Sequence, residues 1–449
     1  MGSRGTDIFH PSFSTEPYWW EAWKPLPGRG HRDLPSRVDV ALIGGGLASL
    51  NAALELARSG ASVCVLEASV FGVGASTRNG GAVSSSVNIG KGLGGVKGRS
   101  AAETAAEKKA LLVDGSQALG LLETIIAREG IDCDYVPSGR FTGAFTRKDY
   151  ASLEKQCALL NEHTDANAHM LPRERQREEM ASDFYFGGIV VERSGKLHPA
   201  KYYGGLLAAT ERAGAALVAE APVTGLVREA GGWRVVTPRG EVRAEKIFAG
   251  TNGYTGPATP SLRRRAVPVA SHMIATEELD PDLAKSLIPK GRTLGETKRV
   301  LCYYRLSPDG KRVLFGGRPR FTQVDARTSA RLLHALMVQR FPQLSGVRVT
   351  HNWMGNLAFS FDHLPHMGEI DGIHYAMCCN GSGVAMLGWL GQQSARKMLG
   401  GSNRVNAFDG RPFPTVPLYA GNPWFLPLIG AWYRHLDKRD RAAAERETA

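Results

Sequence analysis

The sequence lacks the features that mark metal-binding, exported or membrane-spanning proteins. Its six cysteines among 449 residues include no Cys-x-x-Cys pair and no histidine at ligand spacing, so we expect neither a metal site nor a disulfide framework. The N-terminus has no charged-then-apolar signal pattern, and no run of about 18 apolar residues occurs. These absences predict a cytoplasmic protein.

Acidic residues are in the minority. The chain has 55 Lys and Arg against 43 Asp and Glu, a net charge of +12. The excess is spread along the chain with short clusters at 263–265 and 434–441, and no basic stripe is interleaved with aromatic residues, which argues against nucleic acid. The charge instead favours small anionic substrates and cofactor phosphates. The length predicts two or three domains.

The segment 38–67 has the order of a dinucleotide-binding unit. It reads as an apolar strand, a glycine turn, a helix and a second strand, at 38–43, 44–46, 47–58 and 62–66. Glycines allow backbone N–H groups to approach a pyrophosphate, and the helix directs its positive end at the same group. Glu67 at the end of the second strand accepts ribose hydroxyl protons, which favours FAD or NAD over NADP. Ser49 replaces the third glycine of the fingerprint, so we expect slightly shifted packing but a retained site. The alternative is a glycine-rich loop in another kind of βαβ unit.

Regular patterns continue along the chain. Helices are predicted at 101–127, 149–164, 201–213, 327–340 and 384–399. Strands are predicted at 139–145, 187–191, 216–227, 232–237, 242–250, 267–276 and 347–355, with a hairpin over 299–317 that turns at 307–310. This order indicates two interleaved domains with several crossovers.

Three more stretches, taken with 38–67, carry a family resemblance. These are the glycine-rich loop 74–81, the turn 249–254, and the segment 362–368 that leads into 375–384. Together they resemble the FAD-dependent D-amino-acid oxidase superfamily, and within it the branch of γ-glutamylputrescine, sarcosine and glycine oxidase-like enzymes. The resemblance covers about residues 17–436.

The resemblance implies an α/β fold in which two domains share the chain. One is a glutathione-reductase-type, Rossmann-like FAD domain, and the other is an α+β substrate domain built on a mixed sheet. We expect the FAD domain at 37–95, 195–262 and 350–411, and the substrate domain at 96–194 and 263–349. An N-terminal aromatic segment, 1–36, and an apolar and basic tail, 412–449, flank them.

The resemblance also implies the FAD contacts. Gly44, Gly46 and Ser49 would hold the pyrophosphate turn, Glu67 the ribose, and the backbone of Val223 the adenine. The other expected contacts are Leu47, Ala48, Ala68, Ala75, Ser76, Arg78, Asn79, Gly80, Gly81, Thr251, Gly381, Ser382, Gly383 and Val384. Residues 381–383 begin a helix whose N-terminus would face the flavin pyrimidine ring and stabilise negative charge there.

Two cysteines bear on how the flavin is held. Cys378 and Cys379 suggest covalent attachment, but the position where covalent relatives carry the cysteine is Trp353 in this chain. We therefore expect dissociable FAD.

Four residues are expected to serve the oxidation of a C–N bond. Arg305 is the expected handle for a substrate carboxylate, and Tyr303 shares its face of the strand by alternation. Tyr254 would hydrogen-bond the substrate or assist amine deprotonation, and His272 would supply a cation that favours oxygen reduction. The structural alternatives are a surface arginine on an edge strand, a buried tyrosine and a satisfied core histidine.

The implied reaction transfers hydride from an amine or amino acid, foremost a carboxylate-bearing secondary amine, to FAD. Water hydrolyses the imine to an aldehyde or keto acid, and O2 is reduced to H2O2. One alternative is a dehydrogenase of the same fold that passes electrons to a quinone. Another is a non-turnover flavoprotein or RNA-modification component.

The apolar tail 423–434 is followed by basic residues. It predicts packing on its own protein or on a second copy, and peripheral contact with an anionic membrane is the alternative. We expect its helix to be short and broken by Pro427. The loop 84–100 is expected to shape the substrate pocket.

Overall fold

The computed structural model describes residues 7–28, 33–84, 100–400 and 405–446, so most of the loop 84–100 lies outside the described residues. The strands are β1 Phe9–Ser14, β2 Arg37–Ile43, β3 Val63–Leu66, β4 Ala82–Ser84, β5 Arg140–Gly143, β6 Ala168–Leu171, β7 Gly188–Val191, β8 Ser194–Lys196, β9 Ala216–Val218, β10 Gly225–Glu229, β11 Gly232–Thr237, β12 Gly240–Ala249, β13 Val267–Thr276, β14 Thr293–Glu296, β15 Cys302–Leu306, β16 Val313–Gly317, β17 Val349–Phe359, β18 His366–Ile370 and β19 Ile373–Met377. The helices are α1 Leu47–Arg58, α2 Ala101–Glu129, α3 Arg147–His163, α4 Pro199–Arg212, α5 Pro260–Arg263, α6 Pro281–Leu287, α7 Ala326–Arg340, α8 Gly383–Met398 and α9 Leu426–Arg446.

The first sheet carries the predicted dinucleotide unit. It has eight strands, in which β12, β2, β3 and β9 run parallel and β19 pairs parallel with β12. The strand β3 is buried along its whole length, as a parallel strand covered on both faces should be. Helices α1 and α8 pack closely at Gly391, which has no side chain to keep them apart. A Cβ at this position would collide with the carbonyl of Ala48.

The second sheet is mixed, as the resemblance implied. Its nine strands follow the order β1-β17-β13-β16-β15-β14-β5-β7-β6, with parallel pairs β1–β17 and β14–β5 among antiparallel ones. Apolar residues of α7 pack in the same core as those of β15 and β16. The predicted FAD segment from residue 350 includes nearly all of β17, which belongs to this sheet. The N-terminal strand β1 also joins it, and no pattern in the sequence indicated this.

The predicted strand 216–227 is two short strands, β9 and β10, in the structure, separated by an irregular segment that includes Pro222. The tail prediction is wrong in one respect. The helix α9 is 21 residues long, and Pro427 lies in its first turn, where the missing N–H costs no hydrogen bond.

Hydrogen bonds join helix α9 to the segment that precedes β15 of the second sheet. The carboxylate of Asp437 accepts hydrogen bonds from the backbone N–H groups of Arg299 and Val300 at 3.2 and 3.1 Å. Leu426 packs with Val267 and Phe321 in one apolar cluster. The expected packing of the tail on its own protein is thus present.

Among the described helices, only α2 is long and apolar enough to cross a membrane by length and composition. Its buried residues, such as Leu111, Leu119 and Leu122, recur at helical spacing and face one side. That side packs against α8 and α3. This is the pattern of an amphipathic helix that packs on the protein with one face.

Candidate functional site

A cavity of about 810 Å³ lies where the two sheets meet. Its wall contains every predicted FAD contact except Ser49, together with two of the four predicted catalytic residues, Tyr254 and Tyr303. The segments that form it come from distant parts of the chain: the turn after β2, the end of β3, the loop 72–82, the turn after β12, and the start of α8. The fold therefore assembles the predicted residues at one place.

The glycine turn after β2 adopts the conformation that the fingerprint requires. Gly44 has φ +86°, and a Cβ there would lie 3.2 Å from the methyl group of Thr251. The N–H of Gly45 donates to the carboxylate of Glu67 at 2.7 Å. Burial raises the pKa of Glu67, and hydrogen bonds from backbone N–H groups oppose this rise. A carboxylate acceptor thus stands at the end of β3, beside the turn.

The serine in place of the third glycine is accommodated by another glycine. Ser49 is fully buried and does not line the cavity, which corrects its expected role as a cofactor contact. A Cβ on Gly250 would collide with the Ser49 hydroxyl, so the absence of a side chain at 250 makes room for it. The expected slight change in packing is absorbed at the end of β12.

The N-terminal aromatic segment supports the loop 72–81 from the side away from the cavity. The indole N–H of Trp19 donates to the carbonyl of Asn79 at 2.8 Å, and that of Trp20 donates to the Thr77 hydroxyl at 2.9 Å. The Trp20 ring also lies 4.6 Å from the guanidinium of Arg78. These contacts set the path of the backbone along the cavity.

The start of helix α8 forms another part of the cavity wall. Gly381 has φ +101°, and Ser382 is the N-cap of the helix. Neither α8 nor α1 has an acidic residue in its first turn, so both N-termini are available to negative charge. The thiol of Cys379 lines the cavity, and burial raises its pKa, so it is protonated.

Three polar side chains meet beside the start of α8. The hydroxyl oxygens of Tyr303 and Ser271 are 3.0 Å apart. The Tyr303 ring occupies the space that Gly316 leaves free. Arg318 lines the same part of the cavity, and a Cβ on Gly381 would lie 3.3 Å from its Nη2. Tyr303, Ser271 and Arg318 thus form a polar group at one end of the cavity.

Arg318 is a functional candidate that the sequence reasoning missed. It is 8% exposed, its Nε has no hydrogen-bond partner, and it has no carboxylate partner among the described residues. Burial lowers its pKa, and its guanidinium packs 4.9 Å from the ring of Phe359. A buried cation beside a helix N-terminus is unfavourable unless an anion joins it. The signal available in the sequence was an arginine directly after two glycines that end a strand.

Arg305 does not line the cavity, contrary to the expectation for a carboxylate handle. It shares a face of β15 with Tyr303 as predicted, but its Nε donates to the backbone carbonyl of Leu306 at 3.0 Å and its Nη1 to that of Leu197 at 2.7 Å. Its Nη2 is buried and has no hydrogen-bond partner. A longer contact of 3.4 Å reaches the carbonyl of Gly81. Burial lowers the Arg305 pKa to about 10. Its position is that of a structural group under the loop that carries Gly81.

His272 is also placed away from the cavity. Strand alternation directs Ser271 into the cavity and His272 to the opposite face of β13, where it is 1% exposed. Burial lowers its pKa, so it is neutral near pH 7. Tyr254 does line the cavity; it is half exposed, and its hydroxyl accepts the N–H of Asn356 at 3.2 Å.

A Rossmann-like nucleotide domain and a mixed-sheet domain that close on one cavity define the class of FAD-dependent oxidoreductases that act on amines or amino acids. The chain belongs to the DAO family of FAD dependent oxidoreductases, whose sequence pattern matches residues 39–397.

It is similar to gamma-glutamylputrescine oxidoreductase of Escherichia coli (strain K12), with 32% identity over 405 residues, 90% of this chain and 93% of that protein. Two solved structures show the same fold. Glycine oxidase from Geobacillus kaustophilus has TM-score 0.68 and 20% identity, covering 85% of this chain and 99% of its own. L-proline dehydrogenase from P. horikoshii has TM-score 0.68 and 16% identity, covering 83% of this chain and 96% of its own.

The residues present fit the cofactor of this family. Glu67 would hold the ribose, the glycine turn and the N-terminus of α1 the diphosphate, and the N-terminus of α8 the flavin ring. The family uses FAD, and the wall offers a carboxylate and two helix N-termini without acidic residues in their first turns, so this cavity is the candidate FAD site.

Proposed function

We propose that the protein oxidises the C–N bond of an amine that carries a carboxylate, with O2 as the electron acceptor. In balance, one secondary amine, R–CH2–NH–R′, reacts with one O2 and one water to give the aldehyde R–CHO, the smaller primary amine R′–NH2 and hydrogen peroxide. When bound, FAD supplies the acceptor for the hydride removed from the carbon beside nitrogen.

Arg318 is the observation that carries this proposal. It is a cation without a carboxylate partner among the described residues, it faces the cavity, and it lies beside the helix N-terminus that would hold the flavin ring. A guanidinium can bind a carboxylate through two parallel hydrogen bonds, which sets the orientation of the substrate. Orientation matters because the reacting C–H must be held close to its acceptor.

The other groups at this end of the cavity hold and select the substrate. The hydroxyls of Tyr303 and Ser271 can both donate and accept hydrogen bonds. Burial raises the pKa of Tyr303, so its phenol keeps its proton at neutral pH. The charge of Arg318 disfavours the ammonium form of a bound amine, and this supports binding of the neutral amine that the reaction needs.

A dehydrogenase that passes electrons to a membrane quinone is the second candidate. The observation that favours it is an exposed apolar surface at the tail, where Trp424, Leu428 and Trp432 are 60%, 69% and 57% exposed. Arg434 and Lys438 follow on the same helix. Exposed apolar residues beside basic ones are typical of proteins that lie on an anionic membrane surface.

The test is anaerobic bleaching of the flavin absorbance by a panel of amines and amino acids, followed by admission of O2. We expect carboxylate-bearing secondary amines to bleach the flavin, and O2 to restore its colour with formation of H2O2. Slow restoration by O2 but rapid restoration by a quinone analogue would favour the dehydrogenase. If no amine bleached the flavin, the proposed reaction would be wrong.

A further inference from the structure

The cavity extends along the second sheet, well beyond the end marked by Arg318. Tyr303 on β15 pairs with Gly295 on β14, and Gly295 pairs with Thr142 on β5. Neighbouring strands lie about 4.8 Å apart, so the backbone of Thr142 is roughly 10 Å from that of Tyr303. Thr142 and Tyr303 both line the cavity. The space is therefore long enough for a substrate with a second functional group.

Arg140 stands at this far end. It begins β5, pairs with Thr293 on β14 and Val191 on β7, and projects to the same face as Thr142 because alternate residues of a strand share a face. Its guanidinium lies over Gly295, where a Cβ would be 2.7 Å from Nη2. The side chain is deep in the protein, and its accessible part faces the cavity.

No carboxylate among the described residues pairs with Arg140. Burial alone lowers its pKa, with no contribution from a neighbouring charge. Three carboxylates do line the cavity, and none of them pairs with Arg140. Glu67 lies at the end of β3 and accepts the N–H of Gly45 at 2.7 Å. Asp149 accepts the N–H and hydroxyl of Thr146 at 3.1 and 2.9 Å, and Glu296 pairs with Arg340 at 2.8 Å. Arg140 thus has no carboxylate partner among the described residues.

One polar group beside Arg140 also lacks a hydrogen-bond partner. The hydroxyl of Thr293 is buried and has no hydrogen-bond partner, although the residue lines the cavity. Gln156 on α3 and Lys298 also line the cavity. A buried charge without a partner is strongly unfavourable, as is a buried hydroxyl without a hydrogen bond. An acidic group in this space would satisfy both.

We infer that Arg140 is a specificity-determining residue that binds a second carboxylate, at the end of the substrate distant from the oxidised C–N bond, with Thr293 as a further donor. Arg318 would hold one acidic group and Arg140 the other. The assignment of this ligand as the substrate rests on the proposed function, whereas the existence of the anion site does not.

Binding of unreactive dicarboxylates to the FAD-loaded enzyme tests the anion site. The probes are linear dicarboxylates with three to eight methylene groups, each compared with the monocarboxylate of equal length by titration of the flavin absorbance. We expect one chain length at which the dicarboxylate binds about tenfold more tightly or better, since a tenfold change corresponds to 1.4 kcal/mol and charge-assisted hydrogen bonds reach that value.

Variants at Arg140 show where the second carboxylate binds. Arg140→Met should remove the advantage of the dicarboxylate, and Arg140→Lys should keep part of it. Arg228→Met is the matched control, because Arg228 is exposed on the other sheet and its guanidinium packs on Trp233. It should behave as the wild type. Equal binding of mono- and dicarboxylates, or an advantage that survives in Arg140→Met, would overturn the inference.

Turnover separates this inference from the proposed function. N-carboxymethyl amino acids with a terminal carboxylate are compared with their terminal carboxamides. We expect a lower KM for the carboxylates in the wild type only, and an unchanged KM for sarcosine in Arg140→Met. If no amine is oxidised but dicarboxylate selectivity still depends on Arg140, the reaction is wrong and the anion site stands. If amines are oxidised without such selectivity, the anion site is wrong and the reaction stands.

Discussion

Replacement of Arg318 by methionine should separate substrate binding from stability. In the free protein this arginine is a buried cation with no carboxylate partner among the described residues. Methionine has a similar length and needs no hydrogen bonds. The change therefore removes an uncompensated charge, and we expect the unfolding temperature of the FAD-free protein to stay the same or rise.

Activity should change in the opposite direction. Truncation of one partner of a buried, hydrogen-bonded charge pair costs about 2–5 kcal/mol. With a middle value of about 3 kcal/mol, kcat/KM for a carboxylate-bearing amine should fall roughly 150-fold. The loss should be small for an amine without a carboxylate, and Arg318→Lys should recover part of the activity because it restores the charge but not the paired geometry.

Arg305→Met is the comparison that makes this test informative. Arg305 donates to the carbonyls of Leu306 and Leu197, so its removal leaves buried acceptors without donors. We expect this variant to unfold at a lower temperature, because its free energy of unfolding falls by about 1.5–3 kcal/mol for each hydrogen bond lost to a charged group. Calorimetry and anaerobic flavin bleaching measure the two effects. The reasoning would be refuted if Arg318→Met lost as much stability as Arg305→Met and lost activity equally with charged and uncharged amines.

Three further changes test the cofactor site. Gly44→Ala places a side chain at φ +86° beside the Thr251 methyl group. We expect FAD affinity to fall, as measured by FAD titration, and the free energy of unfolding to fall by about 1–2 kcal/mol, as measured by thermal melting. Burial raises the pKa of Glu67, and ribose binding needs its ionised form. FAD affinity should therefore fall as the pH drops through this raised pKa in the wild type, whereas Glu67→Gln should bind FAD weakly and show no such dependence. Trp19→Phe removes the 2.8 Å hydrogen bond to the Asn79 carbonyl, so the dissociation rate of FAD should increase, with a cost of about 1 kcal/mol that stopped-flow absorbance can detect. An unchanged FAD affinity in Gly44→Ala, or an unchanged rate in Trp19→Phe, would contradict the described geometry.

Local segments were predictable because their function depends on their own backbone. The unit 38–67 folds as predicted, since the glycines, the helix and Glu67 that form it are adjacent in the chain. The start of α8 was predictable for the same reason: residues 381–383 allow the turn that exposes a helix N-terminus. Alternation along β15 also correctly placed Tyr303 and Arg305 on one face.

Long-range contacts could not be predicted in this way. The role of Arg305 depends on the carbonyl of Leu197, which lies 108 positions away and removes the guanidinium from the cavity. Ser49 is tolerated because Gly250 leaves space for it, and no local pattern relates these two positions. The edge strand β1 is identified only by its pairing with β17.

The amino-acid sequence by itself determined the nucleotide unit and the motifs that identify the family, because each of these depends on residues close together in the chain whose backbone must take one conformation. Tertiary structure decided which arginines face the cavity. Arg318 and Arg140 face the cavity without a partner among the described residues, whereas Arg305 donates to backbone carbonyls. A charged side chain takes its role from the groups that surround it after folding, and these come from strands and loops far apart in the sequence.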